Sequence, residues 1–217
     1  MRLAPKLAGG LLVSGLAATA AYAFFFVLFA VKFLLIVTLL ITLSGGGRLR
    51  QKFRVTAPQG QAYVERGSSP GTGNVNLFGE VDYDRMVPEI PPASVVTQTI
   101  SLNLPLATTN EQETKGKIDA DTSAFGEGAQ DFVNAVFQLA GGRQSTTGKV
   151  GKGLLGGNVS VSDISAKGKI QVDTKTFTRF SGAATVKFTG DITNGPNAGG
   201  TVKGTVKVKI KPRSVER

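Results

Sequence analysis

Asp119-Ala-Asp121-Thr-Ser123 places oxygen-bearing side chains at alternate positions, the opening spacing of a loop that wraps oxygen ligands around calcium. The match ends there. The sixth position is Ala124 where the sharp turn requires Gly, and the twelfth is Gln130 where a bidentate Glu closes the shell. Gly142-Arg-Gln-Ser-Thr-Thr-Gly148-Lys149-Val150 has the glycines and lysine of a phosphate-binding loop. Five residues separate its glycines instead of four, however, and Val150 stands where a Ser or Thr must follow the lysine. Asp82 and Asp84 share a strand face, a pairing that solvation alone explains. No Ser is followed three residues later by Lys, the local signature of a Ser–Lys nucleophile. Asn158-Val-Ser160 is a formal glycosylation sequon, meaningful only in a secreted eukaryotic domain.

Residue types narrow the chemistry further. The chain of 217 residues has no His and no Cys. It therefore lacks the commonest general base and transition-metal ligand, and has no thiolate, disulfide or redox pair. The expectation is a protein that is not an enzyme, with no cofactor, no metal site and no catalytic residues. Partners are expected among membrane lipid and other protein subunits, further copies of this chain included, rather than nucleic acid or a small-molecule substrate.

Charge is the stronger signal. The net charge is +10, unevenly spread: residues 55–142 carry 4 basic and 11 acidic side chains, and residues 143–217 carry 14 basic and 4 acidic. A domain polarised in this way orients on an anionic surface or mates head to tail with copies of itself; two solvated faces of opposite sign are the plainer reading. The run Arg48, Arg50, Lys52, Phe53, Arg54 follows a long apolar stretch and reads as a membrane-surface collar, with Phe53 entering the interface.

That apolar stretch, Leu7 to Leu43, contains one charge, Lys32. A helix crosses a bilayer with roughly 20 residues, so the periodicity-free run predicts one N-terminal transmembrane helix with surplus length to tilt or protrude. Ala21-Tyr22-Ala23 resembles a signal-peptide cleavage site, but the apolar run continues past it to Leu43, and an uncleaved anchor is expected. Gly10, Ser14 and Ala18 recur every four residues and would let another helix pack closely. Arg2 and Lys6 precede the run and the Arg48–Arg54 collar follows it, leaving the side of the domain open.

The remaining elements would position these features. Ser44-Gly-Gly-Gly47 ends the anchor, and Gln59–Asn74 reads as a linker. Alternation at period two marks strands at Val75–Tyr83 and Ile100–Leu106. It marks further strands at Val159/Val161 and Ile170/Val172, and a long hairpin from Ala184–Ile192 to Val202–Ile210. The hairpin has one apolar face and one lysine-rich face, the latter a known guard against edge-to-edge aggregation. Phe132, Val133, Val136, Phe137 and Ala140 form the stripe of one helix, with Glu127 and Asp131 at its start and Gly141-Gly142 as its cap.

The expected fold class is membrane-anchored and mainly β: one transmembrane helix, then an antiparallel β sandwich or barrel-like domain with one short amphipathic helix. The segments are an anchor over 1–44, a basic juxtamembrane segment and linker over 45–73, and a β-rich domain over 74–217. The expected function is an accessory or structural subunit of a membrane-embedded assembly, such as an envelope complex or a membrane-containing virion. The alternative is an anchored carrier whose barrel holds a lipid or other apolar ligand.

Overall fold

The computed structural model describes residues 28–66, 72–81, 98–109, 115–146, 157–172 and 180–213. Eight antiparallel strands follow one another round a closed barrel: β1 (Leu28–Thr42), β2 (Arg48–Arg66), β3 (Gly73–Val81), β4 (Gln98–Thr109), β5 (Lys115–Ala120), β6 (Val159–Val172), β7 (Phe180–Ile192) and β8 (Thr201–Pro212). β8 pairs back onto β1, so the sheet has no free first or last strand. Two helices lie between β5 and β6: α1 (Thr122–Phe125) and α2 (Gly128–Thr146).

The predicted strands at Val75, Ile100 and the terminal hairpin are present as β3, β4, β7 and β8, with the alternation read from sequence. Val159/Val161 and Ile170/Val172 are the two ends of one 14-residue strand. The loop between β7 and β8 closes with Gly199 N–H donating to Ile192 O at 2.9 Å and Ile192 N–H donating to Gly200 O at 2.8 Å. Gly195 and Gly199 supply its positive φ angles, a conformation that costs glycine nothing.

The apolar run is where sequence and structure part. Leu28–Thr42 is a strand, so the expected helix does not extend over these residues. Val31, Ile36, Val37, Thr38, Ile41 and Thr42 are β-branched, with Phe29 and Phe33 beside them, a composition that favours pleated backbone. Barrel closure requires a strand between β2 and β8, and β1 satisfies its backbone on both sides over almost its whole length. Ser44–Gly47 is accordingly a hairpin turn rather than a helix exit: Leu43 N–H donates to Gly47 O, and Gly46 takes φ of 81°. The collar over 48–54 and Gln59–Arg66 of the expected linker are β2, and the β domain begins at β1 instead of residue 74. Residues 1–27, including Gly10, Ser14, Ala18 and Ala21-Tyr22-Ala23, lie outside the described residues, as do Asp82 and Asp84.

β2 carries a bulge. Val31 pairs with Gly60 and Phe33 with Ala57, so Pro58 and Gln59 together oppose Lys32. Proline is tolerated in a strand at such a point, and the extra residue reverses the in/out phase of everything after it. Phe53, Val55 and Ala57 point inward before the bulge, and Gly60 and Ala62 after it.

β5 is short and leaves a gap. It pairs with Ala166–Gln171 of β6, so the first half of β6 has no strand on that side. The helices cover it. Gln130 Nε2 donates to Val159 O, Val161 N–H donates to Gln130 Oε1 at 3.1 Å, and Val159 N–H donates to Asn134 Oδ1 at 2.8 Å. Thr122 Oγ1 accepts from Ile164 N–H at 3.0 Å. Polar side chains thus replace the missing ladder, as buried backbone requires. Asp121 caps α1, accepting from Ser123 N–H and Oγ. α2 turns Phe132, Val133, Val136, Phe137 and Ala140 into the core, as its stripe predicts, but runs through Gly141-Gly142 to Thr146. Among the described residues two helices stand where one amphipathic helix was expected.

The core is the barrel interior. Among the described residues every buried side chain is apolar except Asn197. Aromatic and branched side chains lie over wall glycines: Phe188 over Gly204, Phe33 over Gly60 and Gly79, and Ile170 against Gly116 and Gly182. Among the described residues no helix is long and apolar enough to cross a membrane. The strands are apolar inward and largely polar or charged outward, the reverse of a barrel whose strands face lipid.

Candidate functional site

β1, β2 and β8 place their outward residues in register. On β1 these are Lys32, Leu34, Ile36, Thr38 and Leu40, the inward positions being Phe33, Leu35, Val37 and Leu39. Leu40 lies between Arg50 of β2 and Lys203 of β8, and Thr38 between Lys52 and Thr205. Ile36 lies between Arg54 and Lys207, Leu34 between Thr56 and Lys209, and Lys32 beside Lys211. The product is an apolar file with a cationic file on each side. Adjacent strands are about 4.8 Å apart, so the two cationic files run about 10 Å from each other. Leu40 is 42% exposed, one of the two large hydrophobic side chains so open among the described residues. Ile36 and Leu34 are half-buried among the long neighbouring stems, which cover apolar surface while holding their charges in water.

The positive wall continues round the barrel. β7 contributes Lys187, β6 Lys167 and Lys169, and β5 Lys115 and Lys117, all exposed. Lys117 opposes Lys169 directly, a repulsive arrangement. Asp119 of β5 lies 3.0 Å from Lys117 Nζ on its own strand and 3.8 Å from Lys167 Nζ on β6. The hydrogen bond from Lys117, with the charge of Lys167, holds the Asp119 carboxyl below the usual carboxylate range. The hydrogen bond from Ser123 does the same for Asp121. These two carboxylates are therefore a counter-charge and a helix cap, and among the described residues no cluster of acidic side chains is arranged to hold a metal ion.

The β3–β4 wall, which adjoins β2, is different. The outward residues of β3 and β4, Asn74, Asn76, Phe78, Glu80, Thr99, Ser101, Asn103 and Pro105, include no cation. Asn76 donates to Glu65 at 3.1 Å, and Tyr63 meets Phe78 edge to face at 6.5 Å. Among the described residues β3 and β4 form the cation-free sector, and the other six strands each carry outward cations.

Of the membrane-surface residues expected from sequence, Arg48, Arg50, Lys52 and Arg54 share the exposed face of β2. Phe53 does not join them: it is 3% exposed and points into the core, because adjacent strand residues face opposite ways. The β8 lysines and the Leu34–Ile36–Leu40 file were missed as members of the same surface. The available signal was parity: Lys32, Thr38 and Thr42, the polar residues of the β1 stretch, all fall on even positions. No family model, no curated protein and no solved structure matches the chain.

Proposed function

We propose that the chain is a non-enzymatic accessory or structural subunit of a membrane-embedded assembly, with the barrel as its contact module. The observation that carries this reading is the close packing of large side chains against the barrel wall. Phe188 and Phe33 lie against wall glycines so closely that a single added carbon would collide with them, Ile170 lies in tight contact with two more, and α2 contributes Phe132 and Phe137. Close packing of this kind suits a rigid body that works through its surface. Leu7–Val27, the part of the apolar run preceding β1, is 21 residues without a charge. As a helix it would be about 31 Å long, the thickness of a hydrocarbon core, with Gly10, Ser14 and Ala18 on its packing side. The test is a gentle-detergent pull-down of the full chain beside a Gly10→Leu/Ser14→Leu/Ala18→Leu variant. A fixed set of protein partners lost in the variant is the expected result; a partnerless chain indifferent to the substitutions would sink the proposal.

One observation favours a second reading, a carrier for a lipid or other apolar ligand. A closed eight-stranded up-and-down barrel with an apolar lining is an architecture that encloses one small ligand when its interior is not filled. Apolar ligand bound in stoichiometric amount would support it.

A further inference from the structure

The outer surface of β2, β1 and β8 combines two properties that rarely adjoin: a half-buried to exposed apolar file and flanking cationic files. Lysines alone on a sheet exterior protect against aggregation and demand no partner. An apolar file alone marks a protein contact or nothing. Together they match the cross-section of an anionic bilayer, where phosphate-bearing headgroups surround an acyl boundary a few ångströms below. The register fixes the match: Leu40 and Ile36 sit midway between Arg50 and Lys203, and between Arg54 and Lys207. From Leu34 to Leu40 the file runs about 20 Å at strand rise. Between the two cationic files stand Leu34, Ile36, Thr38 and Leu40 and no aromatic ring on which a nucleic-acid base would stack, Phe78 lying beyond β2 on β3. β1 also follows directly on Leu7–Val27, a stretch of 21 residues without a charge.

We propose that the β2–β1–β8 wall docks the barrel side-on to an anionic lipid bilayer, with Leu34, Ile36 and Leu40 entering the headgroup layer between the two basic files. The proposal rests on the membrane reading above and gives it an orientation. The barrel lies against its own bilayer, leaving β4, β5 and β6 facing away, toward other subunits.

The chain has no cysteine, so one introduced thiol can be labelled alone. Thr38→Cys and Leu40→Cys report the wall, and Ser101→Cys the opposite side. Each full-length protein is labelled with a fluorophore. It is then mixed with vesicles of phosphatidylcholine, or of phosphatidylcholine with phosphatidylglycerol, and exposed to an aqueous quencher. The expected result is shielding of positions 38 and 40 in the anionic vesicles alone, with position 101 quenched in both. A Lys203→Gln/Lys207→Gln/Lys209→Gln background should shift the docked-to-free ratio about a hundredfold, since each basic residue near such a surface contributes about fivefold. Equal quenching at all three positions in both vesicles overturns the proposal. So does shielding by inorganic phosphate or by a mixed-sequence DNA duplex without vesicles, which would assign the wall to a free anion or to nucleic acid. Flotation with the anionic vesicles separates the two levels: a chain that floats with them while its position-38 label stays in water keeps the anchor and loses the docking.

Discussion

Phe188 of β7 lies directly opposite Gly204 of β8, its ring filling the place where a side chain on Gly204 would stand. The pair joins local sequence to global packing. Glycine weakens a strand by its conformational freedom, and the aromatic neighbour compensates by covering the bare backbone. Gly204→Val is expected to destabilise the barrel by about 3 kcal/mol through overpacking, and Phe188→Ala by about 4 kcal/mol through the cavity left. In the double variant the costs should fall short of their sum by at least about 1 kcal/mol, because each change relieves the other. Urea unfolding of the four proteins measures the cycle; strict additivity would remove the pair from the account. Gly45→Ala, in the β1–β2 turn where nothing lies within 4 Å, is the control and should have little effect.

Strand geometry in β1 makes neighbouring residues behave as opposites. Leu35 is fully buried, whereas Ile36 faces outward between Arg54 and Lys207. Leu35→Lys should cost upwards of about 4 kcal/mol, since it places an unpaired charge in the core. Ile36→Lys should cost about 1 kcal/mol, the scale of like charges directly opposite on a sheet. Thermal melts of the two variants decide it; similar losses for both would contradict the strand.

Covering the free half of β6 falls to two amide side chains. Gln130→Ala exposes Val159 O and Val161 N–H to a partnerless interior, and Asn134→Ala does so for Val159 N–H. Each should cost about 1–3 kcal/mol, the penalty of an unsatisfied buried group. Hydrogen exchange at the Val159 and Val161 amides should accelerate in parallel, while the β7–β8 hairpin keeps its protection.

Asp119 gives the wall a pH dependence. Its folded-state carboxyl is held low by the Lys117 hydrogen bond and the Lys167 charge, so its contribution is complete above the unfolded pKa of about 4 and fades as pH falls through the lower folded value. The stability difference between the native chain and Asp119→Asn should be small, present at neutral pH and absent in strong acid. NMR titration of the carboxyl, paired with urea midpoints across pH, tests the sign.

Much of the second half of the fold was legible. Val202, Val206, Val208 and Ile210 alternate with lysines because β8 has one buried and one wet face, and that contrast is what period-two reading detects. β1 hid itself for the converse reason. Leu34, Ile36 and Leu40 are apolar on the outward face too, so the alternation vanished into a run that length alone assigned to a helix. The Pro58–Gln59 bulge disguised β2 in another way, since it reverses the phase midway and makes two half-strands read as a collar and a linker. Arg48, Arg50, Lys52 and Arg54 were found because they are close in sequence. Lys203, Lys207 and Lys209 join them only through closure of the barrel across β1, a relationship of some 150 residues that no local pattern carries.

Native mass spectrometry of the full-length protein, extracted in mild detergent and freed of it by stepwise activation, tests the central claim most directly. A closely packed barrel serving as a subunit predicts other polypeptides in fixed ratio and no apolar molecule retained on the chain. A lone chain that holds one lipid mass per barrel after the detergent is gone would contradict it.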